Sequence, residues 1–261
     1  MKVTIVNLIA LIGIFIGFGL CFGLIQNLNS KLIFSAFGRR GLVITGAIGT
    51  IIHESSHLLM AILFRHKIEE VKLFKPFSSK EDNILGYVNH SYNKKSLYQN
   101  IGNFFIGIAP LLGGTLVILL LFKLLIPSGY KEIKNSIDIN LYSRMLSDFN
   151  IFEFIKLLSN DAILVIKNTF ANFSISTIIF IILMYSISTH MGLSNADLKG
   201  SFNGLVFIFI VVFIISLFKI NLFTQIIIST YNIYLFIFMT LGLLFSIITL
   251  IMSYVMNLFI K

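Results

Sequence analysis

Residues 53–57 read His-Glu-Ser-Ser-His. Two imidazoles four positions apart stand one turn above each other on one helical face, so both can bind one small cation from the same side. Glu54 projects about 100° further round the helix, toward a water held by that cation rather than toward the cation itself. This is the H-E-x-x-H pattern, in which two histidines hold zinc and the glutamate is the general base. Zinc would lower the pKa of its water to near 7. Glu54 would accept the water proton and pass it to the leaving amine. The chain has only five histidines, so chance rarely produces this spacing. The plain alternative is a helix whose two histidines hydrogen-bond inside a bundle, which leaves the adjacent Glu54 unexplained.

Two imidazoles leave a tetrahedral zinc one protein ligand short. Asp197, within Ser194-Asn195-Ala196-Asp197-Leu198-Lys199-Gly200, is the favoured third ligand, because a carboxylate balances the charge of zinc bound by neutral imidazoles. Ser194 and Asp197 also have the spacing of a capping box, so helix capping alone is the competing role. His190 is the other candidate ligand. His66 and His90 are read as solvated loop residues. The predicted site is therefore Glu54 as the catalytic base, His53, His57 and Asp197 as metal ligands, and Zn2+ as the cofactor.

Hydropathy decides which elements must position these groups. Of the 261 residues, 57% are hydrophobic and 12% charged. A water-soluble fold of this length must cover itself with more polar surface than that, so the excess faces lipid. A spanning helix needs about 20 apolar residues. Candidate spans lie near 3–25, 42–64, 101–126, 173–190, 202–218 and 233–259, six in all within a single domain, 1–261. The second carries His53, Glu54 and His57 in its middle, where an unpartnered charge costs several kcal/mol and a functional role is the default reading. Pro110, among Gly102, Gly107, Gly113 and Gly114, predicts a kinked or closely packed third span.

Two polar stretches separate the spans. In 65–100, apolar and polar residues partly alternate around Pro76. They predict two short strands, near Ile68–Phe74 and Ile84–Val88, about a turn at Ser78 to Asn83. In 127–172, Met145, Phe149, Phe152, Ile155, Leu158 and Ile163 recur at roughly helical spacing and predict an amphipathic helix at the interface. The fold class is thus an all-α polytopic membrane protein with a short membrane-associated β-hairpin after the H-E-x-x-H helix. Its first segment is read as a retained membrane helix rather than a signal peptide. The formal net charge of +9 sits on residues that flank apolar segments, which suits anionic headgroups and makes nucleic acid a poor partner. Those basic residues divide nearly evenly between the two sides, so orientation is open. The lone Cys21 excludes an internal disulfide and sulfur-rich metal sites.

The motif within a membrane helix resembles the site-2 protease family of intramembrane zinc metalloproteases. Ile68-Glu69-Glu70-Val71-Lys72-Leu73 and Leu85-Gly86-Tyr87-Val88 resemble the short membrane-associated strands that follow that helix in the family. Gly102-Asn103 through Pro110 is similar to its next helix, and Asp197 holds the place in chain order of its third ligand. The resemblance implies cleavage of a membrane-embedded or membrane-near peptide, with the lipid bilayer and a membrane protein or peptide as partners. The expected location is a multi-pass protein in the plasma membrane of a bacterium. The chain departs from the family where Asp197 is followed by Leu198-Lys199-Gly200 rather than directly by glycine. A strand edge at 68–75 or 84–92 would pair with an extended substrate by strand addition. The rivals are a divalent-metal transporter, a membrane zincin using Glu132 or Glu153 as third ligand, and a non-catalytic scaffold.

Overall fold

The computed structural model describes residues 2–76, 85–147, 150–171, 173–217 and 225–260. The turn predicted at Ser78 to Asn83 lies outside them. In chain order the elements are α1 (Lys2–Leu63), β1 (Lys67–Lys72), β2 (Tyr87–Ser91), α2 (Leu97–Leu125), α3 (Pro127–Ser136), α4 (Ile139–Ser147), α5 (Ile151–Ala171), α6 (Ile175–Ser188), α7 (Asn195–Leu217) and α8 (Gln225–Ile260).

The first two predicted spans are the two arms of α1. An outer arm, 2–37, and an inner arm, 39–63, meet at Gly38, whose φ of 60° and ψ of −157° break the helix. A side chain disfavours that backbone conformation, so glycine is the residue that allows the break. The intervening loop expected from hydropathy is absent. Its polar residues are helical and partly buried: Asn29 is fully enclosed and donates to the Thr249 hydroxyl of α8 at 3.3 Å. The Ser188 hydroxyl of α6 reaches the same Thr249, and Ser246 of α8 donates to the Ser188 carbonyl. Tyr185 of α6 and Ser253 of α8 share a further hydrogen bond. Polar side chains joined across helices suit a bundle interior with no water to satisfy them.

Three described helices are long and apolar enough to cross a membrane: 15–63, 97–125 and 239–260. The fourth predicted span is shorter than expected. Apolar α6 has 14 residues, about 21 Å of helix against a hydrocarbon core of about 30 Å. The described part of 127–172 holds three helices, α3 to α5, with Met145 on α4, Phe152, Ile155, Leu158 and Ile163 on α5, and Phe149 outside the described residues. The three are pinned together by Asp161 of α5, a buried carboxylate that accepts from Tyr142 of α4 at 2.6 Å and from Ser136 of α3 at 3.3 Å.

The predicted strand pair is present, with the second strand at Tyr87–Ser91 rather than Ile84–Val88. β1 and β2 pair antiparallel with Ile68 opposite His90 and Val71 opposite Val88, and a bulge falls between Ile68 and Glu70. The backbone pairing extends past the strands, where Lys75 N–H donates to the Leu85 carbonyl. The inner arm reaches this hairpin through a left-handed C-cap. Arg65, at φ 57°, donates to Ile62, and His66 donates to Ala61. That is the Schellman arrangement with arginine where glycine is usual. Tyr98 and Gln99, in the first turn of α2, cap two more carbonyls, those of Leu63 and Arg65.

Small residues bring the remaining helices onto the inner arm. A methyl group on Gly113 of α2 would strike the Ser56 hydroxyl, and one on Gly49 would strike α6 at Ser186. Gly107 of α2 lies against Ser201 and the Asp197 carbonyl, and Gly204 of α7 against the backbone of Phe104. Helices that touch through glycine approach backbone to backbone. This approach carries the start of α7, and with it Asp197, to the motif.

Candidate metal centre

His53 and His57 project from one face of the inner arm, as their spacing requires, with their Nε2 atoms 3.2 Å apart. Asp197 Oδ1 lies 3.3 Å from His57 Nε2. One ligand atom from each of these three residues falls within 4.8 Å of the others. Among the described residues this is the group of three able to hold a metal ion.

The far side of each imidazole is occupied. His53 Nδ1 lies 2.8 Å from the His190 carbonyl, and His57 Nδ1 lies 2.8 Å from the Ile106 carbonyl. A carbonyl only accepts, so each Nδ1 carries the proton and donates. As neutral imidazoles the two rings would then present bare Nε2 lone pairs toward each other and toward a carboxylate. Three acceptors at this separation repel unless a cation lies among them. The donor set suits a divalent ion, and carbonyls on the far nitrogens are the usual outer support of metal-binding histidines.

Asp197 is placed for both roles that its sequence context allowed. Oδ2 accepts from the Ser194 N–H at 2.8 Å while the Asp197 N–H donates to the Ser194 hydroxyl at 3.2 Å, a complete capping box. Oδ1 remains to face His57. The cap fixes the carboxylate's direction, and the glycine contacts of α2 with α7 fix its position.

His190 is not in the three-residue group. It contributes its backbone carbonyl to His53, and its ring is enclosed against Gly46 with Nδ1 beside the Thr189 hydroxyl. Glu132 lies on α3 and Glu153 on α5, and neither belongs to the group.

Glu54 is buried and lines a cavity of about 510 Å³ together with His53. Gln26, Asn27 and Ser30 of the outer arm form part of its wall, with Arg39, Thr50 and Gly86. A methyl group on Gly86 would stand 2.8 Å from Glu54 Cγ. The hairpin backbone thus closes over the predicted base. Polar residues of the outer arm, which hydropathy alone assigns to a loop, face the same space.

His66 and His90 are not solvated loop residues. His66 is 5% exposed, stacks on Tyr92, and has its Nδ1 3.0 Å from His90 Nδ1. Its Nε2 donates to the Gln99 carbonyl at 2.9 Å. Burial lowers the pKa of both below the usual histidine value. The site residues that the motif does not mark are the backbone carbonyls of Ile106 and His190, with Gly86. The small-residue pairs Gly46 and Gly49, and Gly102 and Gly107, were the available signal that helices approach closely there.

Comparison with known proteins gave no match: no protein-family model, no curated protein and no solved structure corresponds to this chain.

Proposed function

We propose that this protein is an intramembrane zinc metalloprotease of the site-2 protease type, a single multi-pass domain of six spans that hydrolyses peptide bonds of membrane-embedded or membrane-near substrates. One observation carries the reading: two imidazoles with their protons fixed on the outer nitrogens, on a helix long and apolar enough to cross a membrane, converge with a carboxylate oxygen beside a cavity lined by Glu54. A buried cluster of this kind in an apolar helix is costly unless it is used. His53, His57 and Asp197 would hold the ion, and zinc there would supply Lewis acidity and make water acidic enough to lose a proton near neutral pH. Glu54 takes that proton as the water oxygen adds to the peptide carbonyl. It returns the proton to the amide nitrogen as the C–N bond breaks, so the products are a carboxylic acid and an amine. The polar outer-arm residues along the cavity admit water to a site otherwise walled by apolar helices. A helical substrate hides its carbonyls, and the two-stranded hairpin offers an edge on which an extended segment can pair.

The test is a paired measurement on purified protein. Zinc content near one per chain is expected for the parent and for Glu54→Gln, with cleavage of a membrane-peptide substrate lower in the variant by about 10²–10⁴-fold, the range of a lost general base. A metal-free parent, or normal cleavage by the variant, overturns the reading. Zinc flux in proteoliposomes without cleavage supports the transporter instead.

A further inference from the structure

We infer that Pro110 is a positioning residue for the metal centre, acting through the carbonyl that it leaves without a helical partner. The inference deepens the proposed zinc site and rests on it.

In an α-helix the carbonyl of residue i accepts from the N–H of residue i+4. Within α2 the residue four beyond Ile106 is Pro110, and α2 runs on through it from Leu97 to Leu125. Proline has no N–H, and its ring presses against the carbonyl four residues earlier. The Ile106 carbonyl is thus the one that Pro110 deprives of a donor and pushes off the helix axis. It is also the carbonyl 2.8 Å from His57 Nδ1. Ile106 is buried, so no bulk water replaces the missing donor, and the imidazole N–H supplies it.

The other histidine is held by the same logic from a different cause. His53 donates to the carbonyl of His190, which lies just past the last residue of α6, Ser188. His190 follows the Thr189 C-cap, outside the helix, where a carbonyl has no intrahelical donor. Both outer hydrogen bonds of the site therefore go to carbonyls that helix geometry leaves open, one by termination and one by proline. Each bond keeps the proton on Nδ1 and leaves Nε2 bare toward Asp197. Losing such an outer partner typically costs metal sites about 10–100-fold in affinity.

The test is Pro110→Ala in the full-length protein in detergent or nanodiscs, with zinc affinity read by chelator competition. The restored N–H pairs with Ile106 and draws its carbonyl back toward the axis. Zinc affinity should fall by about 10–100-fold while the thermal midpoint holds or rises, since alanine favours helix. Pro127→Ala, at the start of α3, should leave affinity unchanged. A Pro110→Ala protein that binds zinc as tightly as the parent overturns the inference. A second readout needs neither variant nor bound zinc. Histidine ¹⁵N spectra of the metal-free parent should show His57 protonated at Nδ1, and a His57 bare at Nδ1 with its proton on Nε2 overturns the inference even if Pro110→Ala does not fold. If the parent shows the Nδ1 proton but binds no zinc at any concentration, the proteolytic reading falls while the contact stands.

Discussion

Two pairs of histidines in this protein meet nitrogen to nitrogen, His53 with His57 at 3.2 Å and His66 with His90 at 3.0 Å. In the first pair both outer nitrogens donate to carbonyls, so two neutral rings leave no proton between the inner nitrogens, and a carboxylate oxygen faces the gap. In the second, the structure gives one outer nitrogen a carbonyl partner, the Nε2 of His66. His66 Nδ1 is then a bare acceptor, His90 Nδ1 carries the proton, and an ordinary hydrogen bond forms between them. The Tyr92 ring stacks on His66. The difference teaches that the partner of the far nitrogen, more than the closeness of two imidazoles, decides whether a pair awaits a cation or shares a proton.

The largest effect that sharpens this contrast is on metal content. His57→Ala and Asp197→Ala should each lower zinc affinity by more than about 100-fold, beyond the usual scale of outer-partner losses. His66→Ala and His90→Ala should leave zinc content at the parent level by elemental analysis. Zinc loss in the latter two would dissolve the distinction.

A smaller effect concerns protons. Burial lowers the pKa of His66 and His90 from 6.5, so the unfolded chain binds more protons than the folded one just below that value. The stability from this pair is therefore complete above about pH 6.5 and declines as the pH drops toward the lowered folded values. Unfolding midpoints between pH 8 and pH 5 should show the decline, and His90→Asn should flatten it. An unchanged slope in that variant assigns the decline to other groups.

The smallest effect lies at the residue that leads from one pair to the other. Arg65 turns the chain with φ 57° between the inner arm and His66. Glycine there removes the left-handed penalty, so Arg65→Gly should stabilise the protein by about 1 kcal/mol with zinc content unchanged. A denaturant midpoint that moves down would show that the Arg65 side chain holds something the backbone does not.

The first pair was legible in the sequence because it is local: four residues on one helix fix the geometry before any tertiary contact forms. Asp197 was legible only as a choice between ligand and cap, because sequence cannot show that its two oxygens divide the work. The second pair was hidden because His66 and His90 are 24 positions apart and meet only through the hairpin register. Hydropathy placed the helical stretches at 39–63 and 97–125 closely but misread the chain after Gln26. Polar residues there are enclosed by neighbouring helices, and composition cannot separate a buried polar seam from a loop. The carbonyls of Ile106 and His190 carry no side-chain signature at all.

Gly86 has a consequence for how this centre can change over time. With no side chain at that position, the returning strand rests on the Glu54 methylene itself. The hairpin and the carboxylate therefore share one coordinate, and whatever displaces the former relocates the latter. A lineage that enlarged residue 86 by a single carbon would press on Glu54 Cγ and on the Leu73 carbonyl at once, so backbone and carboxylate would have to move together.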